Sequence, residues 1–489
     1  MNYFEAHMLP EERGKIPYFE TIDGFVDFIS GQYGDQPALS DTQRTVSFRE
    51  LGQHVARRRH LLLSMGLPKG SNVGLFDINS VDLAEWLLAA STAGYCAVMM
   101  PPTLTEVALQ NVVHHYELKA LIHGAIFQPR VENLSVPKIP MAAMDDEEAP
   151  AVELKKQDRA AIFFTGGTTG VPKGVILNHG AVVRGSHNGT FRDGTMFGQS
   201  LVAVLPFTHV FGVIFSLLAG LYAGAHVGVC GQMKDMFKEM ARVQPTTMVA
   251  VPGMAEIMLG IALKRGVQAL GGRLKTIICG AAPVPPRLYN TFLPLGVEVL
   301  AGYGMTETAN LVSGNFDMPT HATSVGKQYP CQESRIVDGE LQLKGDMLFE
   351  GYWKDEATTR ASFTEDGWFR TGDLARFDED GFLYIVGRIK NLIILSNGEN
   401  VSPEEVEEAF YRSPMVQDCL VSETVIAGTP SILLEVLPTA GHTDEEVQEA
   451  MKEITATLPD PMRPARVDIR HEDFEKSPAM KIIRKKKGN

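Results

Sequence analysis

Cysteine is scarce and scattered. The five in 489 residues, Cys96, Cys230, Cys279, Cys331 and Cys419, lie far apart. No CxxC and no mixed Cys/His spacing occurs, which argues against a disulfide framework and a zinc site. They read as mostly buried small apolar residues of a reducing compartment. Positive charge is also short: 45 Lys and Arg stand against 59 Asp and Glu, a net charge of −14. A broad nucleic-acid surface needs a basic face, so no nucleic-acid partner is expected. A small, locally basic pocket for a phosphorylated ligand stays open. The first residues, "MNYFEAHMLPEERGKIPYF", lack a basic-then-apolar signal pattern, and a cytoplasmic location is expected. An unbroken apolar run is missing too. Leu201–Cys230 comes nearest, but Pro206, Thr208 and His209 interrupt it, and a spanning helix needs ~20 apolar residues. Its ends look like strands, so a buried strand–helix–strand unit is expected and no membrane span.

What is present is an ordinary globular composition, 44% apolar and 21% charged. The length exceeds one core, since cores stop growing near ~250–300 residues, so at least two domains are expected. Residues 1–150 alternate short apolar runs ("NVGLFDI", "CAVMM", "KALIHG") with amphipathic helical stretches, the α/β signature. Asp145–Asp158 is charged and holds a proline, as in a surface loop. Later runs ("AAIFFT", "TTMVAVP", "KTIICG", "VEVLAGYG") lack alternation, as strands covered on both faces do. After about residue 330 the texture changes. "SRIVDGELQLKG" alternates like a half-exposed strand pair, and "LARFDEDGFLYIVGR" is a hairpin turning at Asp380-Gly381. From Asn391 the chain reads as a small α+β unit. It has a turn at Asn397-Gly398, a helix capped by Ser402 with Pro403 at its first position, and a second helix opened by a Thr443/Glu446 capping box. The break near Arg388–Asn391 divides the chain into 1–388 and 389–489.

"TGGTTGVPKG" (Thr165 to Gly174) combines glycines that let backbone N–H groups converge on an anion with hydroxyls and a lysine. Its spacing is neither GxxxxGK[ST] nor GxGxxG, so it is neither a Walker A loop nor a dinucleotide fingerprint. Alone it also admits the reading of a flexible turn. Further on, "AGYGMTETAN" sets Thr306 beside Glu307 after a glycine turn, a hydroxyl for phosphate and a carboxylate for a hard cation. "WFRTGDL" supplies Asp373, suited to two ribose hydroxyls. "YIVGRIKN" supplies Arg388, and "KSPAMKIIRKKK" supplies Lys481. Each alone reads as a solvated surface residue.

In this order, with "LPFTHVFG", "CGAAP", "GELQLKG…GYW" and "NGENVSPEEVE", the motifs resemble the adenylate-forming (AMP-binding) superfamily, in its acyl-CoA synthetase and aryl-CoA ligase branch. The resemblance covers nearly the whole chain. It implies an α/β fold: a large N-terminal domain of layered sheets and helices, plus a small mobile α+β C-terminal lid. It implies an enzyme that uses ATP, Mg²⁺ and coenzyme A to activate a carboxylic acid as acyl-AMP and pass it to a thiol. By resemblance, Thr165, Gly167, Thr168, Thr169, Gly170 and Lys173 hold the β- and γ-phosphates. Glu307 binds the metal and Thr306 the α-phosphate. Gly280, Ala281, Ala282 and Pro283 form the adenine wall with Tyr303 and Gly304, Tyr303 stacking on the base. Asp373 and Arg388 fix the ribose, Lys390 is the hinge, and Lys481 bridges carboxylate and phosphate. His209 sits at the mouth between acyl pocket and thiol tunnel, its bland reading being a hydrogen-bonded core histidine. Val210, Phe211, Gly212, Ala281, Ala282, Met305 and Asn310 join it as pocket candidates. They are mostly apolar and bring no arginine for a second carboxylate, which favours a fatty or aromatic monocarboxylic acid.

The chain departs from the family pattern at four places. Gly166 stands where Ser is usual, Asn391 where Asp is, Asn397 where the first glycine of a pair is, and Met480 where Gly is common. These touch turnover and acceptor choice, not adenylation. The leading expectation is an acid:CoA ligase, with no carrier domain fused and a monomeric or homodimeric state. The alternatives are a free-standing enzyme that loads a carrier-protein phosphopantetheine, a catalytically dead nucleotide-binding regulator, and remotely a light-emitting oxygenase. The terminal "RKKKGN" reads as a solvated tail.

Overall fold

The computed structural model describes residues 1–165, 172–190, 199–395, 399–426, 429–476 and 482–484. Among them, two large sheets build the bulk of the chain. The first runs edge to edge through Gly351–Tyr352, Lys173–Asn178, Arg159–Thr165, Cys96–Met99, Asn72–Phe76, Ala120–His123 and Lys138–Pro140. The second runs through Lys327–Gln328, Ser313–Asn315, Glu298–Tyr303, Thr276–Cys279, Thr247–Ala250, Ser200–Ala203, His226–Val229, Pro37–Ser40 and Thr45–Ser47. The central strands of both are parallel, while Lys173–Asn178 and Ser313–Asn315 run antiparallel to their neighbours. Asn72–Phe76, Cys96–Met99 and Thr247–Ala250 are buried along their whole length. Their unalternating sequences reflect this burial on both faces.

Leu201–Cys230 folds as strand, helix and strand, as expected. Its helix, Phe211–Ala219, is wound with the wider i→i+5 spacing of a π-helix, a form that gathers at functional sites. Among the described residues no helix is long and apolar enough to cross a membrane. Residues 145–158 are a loop of exposed and half-buried residues, in which Ala149 is buried and its carbonyl accepts from Arg59 Nε at 2.9 Å.

A four-stranded antiparallel sheet follows, in the order Gln332–Val337, Glu340–Gly345, Phe369–Phe377, Leu383–Arg388. Its last hairpin turns through Gly381 at φ 80°, which only glycine adopts freely. After one tight turn, Ile389–Asn391, residues from Ile393 onward gather a separate core around Val406, Phe410, Val421, Leu434 and Met451. Ser402 caps the helix Pro403–Tyr411 by accepting from Glu405 N, and it also donates to Val386 O at 2.6 Å. The Thr443/Glu446 capping box forms at the helix Asp444–Thr457.

That smaller core holds a titratable group. Glu407 is buried, and it accepts from Val421 N and from Arg484 Nη2, both at 2.5 Å. Burial pushes its carboxyl up to about 7 against the pull of Arg484. A carboxyl that keeps its proton longer when folded binds more protons in the native state, so stability falls as pH rises. The expected window runs from the ordinary value of 4.5 to about 7. The urea midpoint of wild type should decline through that window, and Glu407→Gln should remove this part of the decline. A variant profile parallel to wild type would assign the slope to other carboxylates.

Candidate active site

The strands Arg159–Thr165 and Lys173–Asn178 form an antiparallel hairpin that pairs Thr165 with Lys173. Thr165 Oγ1 donates to Lys173 O at 3.5 Å. The expected triphosphate residues Gly167, Thr168, Thr169 and Gly170, with Gly166, lie outside the described residues; Thr165 and Lys173 mark where their segment leaves and rejoins the sheet. The Lys173 ammonium sits 3.5 Å from the centroid of the Tyr352 ring, a cation–π distance.

The strand Glu298–Tyr303 delivers the next group. It leads into a closed turn in which Val312 N donates to Tyr303 O at 2.9 Å and Asn310 N to Met305 O at 3.1 Å. Ala309 and Asn310 take left-handed φ values of 47° and 85°. Gly304 is required here by contact: a Cβ on it would come 1.1 Å from the Asn310 carbonyl oxygen. Gly304→Ala should therefore displace the whole turn and abolish nucleotide binding, checked by titration calorimetry with ATP. Unchanged affinity would mean the turn carries no nucleotide contact. Within the turn, Thr306–Thr308 forms a single tight helical turn with Thr306 and Glu307 half-buried. Glu307 is held twice. Its Oε1 accepts from Tyr352 Oη at 2.8 Å, and its backbone carbonyl accepts from Phe349 N at 2.8 Å.

Asp373 lies across the antiparallel ladder from Arg388 and is only 1% exposed. Arg388 Nε approaches its Oδ1 at 2.7 Å, and Tyr303 Oη donates to its Oδ2 at 2.5 Å. Burial, then the charge of Asp373, pushes the Tyr303 phenol well above its ordinary value. Tyr303 therefore remains a donor and orients Asp373, whatever its ring face meets.

A third group surrounds Phe211. Its ring fills the space where a Gly280 side chain would lie, 2.9 Å from a hypothetical Cβ. Ala281 takes a left-handed φ of 68° as the chain turns after Cys279 toward Ala282 and Pro283. Val210 and Gly212 are buried, Gly212 directly against the Pro206 carbonyl. His209 is exposed on the turn before the helix, its N–H donating to Pro206 O at 3.0 Å; it is not a core histidine. Met305 is half-buried. Asn310 is buried, and its Nδ2 finds no acceptor among the described residues.

Lys390 is exposed in the tight turn Ile389–Asn391. Asn391 Nδ2 donates to Glu404 Oε1 at 2.6 Å; an Asp there would set two like charges against each other. Lys481, Met480 and Asn397 lie outside the described residues. The turn Tyr303–Glu307 thus joins two groups, Asp373–Arg388 at one end and Glu307–Tyr352–Lys173 at the other. The motif "GYW" contains Tyr352 but carries no signal of this role. Among the described residues no cluster of three His, Cys, Asp or Glu could hold a metal. A single half-buried carboxylate, Glu307, fits Mg²⁺, which is bound by one or two carboxylates together with substrate phosphates.

The sequence model of the family described as AMP-binding enzyme matches residues 28–353. The chain belongs to this family. The AMP-binding enzyme is 30% identical over 400 residues to a feruloyl-CoA synthase of Amycolatopsis sp, covering 77% of this chain and 80% of the relative. It is 27% identical over 452 residues to the peroxisomal long chain acyl-CoA synthetase 6 of Arabidopsis thaliana, covering 74% of this chain. The match spans 64% of that relative, less than two thirds of its length. The crystal structure of the anthranilate CoA ligase AuaEII in complex with anthranoyl-AMP superimposes with a TM-score of 0.85 at 20% identity. That match covers 95% of this chain and 96% of the other. The expected α/β fold, with a large N-terminal and a small C-terminal part, is the fold of that structure.

Proposed function

We propose that this AMP-binding enzyme is an ATP-dependent carboxylic acid:CoA ligase acting on a fatty or aromatic monocarboxylic acid. The observation that carries the reading is the turn Tyr303–Glu307, which meets the Asp373–Arg388 pair through Tyr303 and the Lys173 hairpin through Glu307 and Tyr352. The names of the relatives, synthases and synthetases of CoA esters, support the chemistry and do not favour the carrier-protein alternative.

On this reading the acid's carboxylate attacks the α-phosphorus of ATP and pyrophosphate leaves. Two anions must meet, so the residues act mainly by placing positive charge and donors. Lys173 and the Gly/Thr segment bind the leaving phosphates. Thr306 donates to the α-phosphate. Asp373 accepts from both ribose hydroxyls while Tyr303 and Arg388 hold it in place. Glu307 would hold Mg²⁺, which would supply charge neutralisation along the phosphates. Gly280–Pro283 line the base, and Phe211 with Met305 and Asn310 lines the acid. Lys481 offsets the charge of both reacting anions. The CoA thiol then attacks the acyl-adenylate and AMP leaves, with the lid, residues 389–489, turning about Lys390 and His209 gating the tunnel. Free cysteines, four of the five buried, suit a reducing compartment, on our reading the cytoplasm.

The test is pyrophosphate exchange by the purified enzyme over a panel of carboxylic acids, followed by addition of CoA or a holo-carrier protein. Exchange with an apolar acid and a thioester with CoA are expected. No exchange with any acid would sink the ligase reading in favour of a nucleotide-binding regulator. An adenylate that passes only to the carrier would sink the choice of acceptor.

A further inference from the structure

We propose that Tyr352 is a positioning residue that presents Glu307 to the metal–nucleotide complex and couples it to the phosphate-binding hairpin. The inference rests on the reading of Glu307 as the metal-binding carboxylate. Tyr352 stands 45 residues beyond Glu307 in the chain, on a segment whose backbone serves both neighbours. Phe349 N donates to Glu307 O at 2.8 Å, Glu350 N to Ile176 O at 2.9 Å, and Trp353 N to Gly174 O at 2.8 Å. Residues 349–353 are therefore laced to the turn on one side and to the hairpin strand Lys173–Asn178 on the other. The Tyr352 side chain repeats that link. Its hydroxyl donates to Glu307 Oε1, and its ring face carries the Lys173 ammonium. Its own N–H donates to Thr359 Oγ1 at 2.9 Å, which pins the residue from behind.

The geometry assigns different work to the two carboxylate oxygens. Oε1 is engaged by the Tyr352 hydroxyl, which donates to it at 2.8 Å. Among the described residues no donor is found on Oε2, the oxygen turned to the cation on this reading. Partners that orient a ligating carboxylate change metal affinity by about 10–100-fold when removed. The ring does something separate: it fixes the ammonium that the hairpin brings to the phosphates. One residue thus aligns the carboxylate and the lysine on the same triphosphate.

The experiment is titration calorimetry of ATP with Mg²⁺ and of ATP in excess chelator, on the full-length protein. Wild type should prefer the metal-bound nucleotide. Tyr352→Phe keeps the ring and loses the hydroxyl, so it should reduce that preference about 10-fold while binding metal-free ATP as wild type does. In a Glu307→Gln background the same change should alter nothing, because the hydroxyl then orients no metal ligand. Tyr352→Leu should in addition weaken metal-free ATP, through loss of the lysine's seat. A Tyr352→Phe protein with an unchanged preference overturns the inference and leaves the reading of Glu307 standing. A wild type without any preference overturns that reading and this inference with it. Equal weakening of both nucleotide forms by Tyr352→Phe also overturns it, since a merely structural tyrosine would act that way.

Discussion

Lys481→Ala should slow acyl-adenylate formation by about 10²–10³-fold, the scale seen when one preorganised donor to a developing charge is removed. The acid carboxylate and the α-phosphate repel as they approach, and on the proposed reading the Lys481 ammonium offsets that repulsion most when the new bond is half formed. The loss should therefore fall on kcat and leave KM for ATP little changed. Thioester formation from preformed acyl-adenylate should be nearly unaffected, since no second anion approaches in that step. The flanks of Lys481 are anchored independently. Lys476 and Ile482 pair in antiparallel fashion, Lys476 Nζ meets Asp418 at 2.7 Å, and Arg484 binds Glu407. The substitution should leave circular dichroism and the melting temperature as in wild type. Single-turnover measurement of each half-reaction decides the matter. Equal slowing of both halves would place Lys481 in the fold or the lid motion and not at the bond being made.

Asp373→Ala should weaken ATP binding about 100-fold or more. Two hydrogen bonds from ribose hydroxyls to a carboxylate are each worth ~1.5–3 kcal/mol, and ~2.7 kcal/mol is already a factor of 100. The carboxylate is 1% exposed and is aimed by Tyr303 and Arg388. The same change leaves the buried Tyr303 hydroxyl without its acceptor, at a cost of ~1–3 kcal/mol in stability. Arg388 is 41% exposed and can turn to water, so its share is small. Asp373→Asn keeps the shape and one acceptor and should fall between wild type and Asp373→Ala in both readouts. Calorimetric affinity for ATP and for AMP, set beside urea midpoints, separates the roles. If stability drops while affinity holds, Asp373 anchors the sheet and the ribose is bound elsewhere.

Some of this was open to reading in the chain itself. Ser402 before Pro403, Thr443 three residues ahead of Glu446, and Asp380-Gly381 between two alternating runs all depend on hydrogen bonds or φ values within a few residues, and each folds as its local spacing implies. The parallel strands announced themselves by apolar runs without alternation, because burial on both faces acts on every residue of the strand. The residues proposed for chemistry were named by their motifs, and the pairing of Asp373 with Arg388 brings two of them together.

Other features had no local signal. Nothing in "GYW" says that Tyr352 reaches a carboxylate 45 residues earlier, and nothing in "CGAAP" says that Gly280 yields its side-chain space to Phe211. The exposure of His209, the tight approach of Gly304 to the Asn310 carbonyl, and the burial of Glu407 beside Arg484 are of the same kind. Each is settled by which strands and turns pack side by side. Packing joins residues far apart in the chain, whereas a motif records only the neighbours that a residue keeps even when the chain is unfolded.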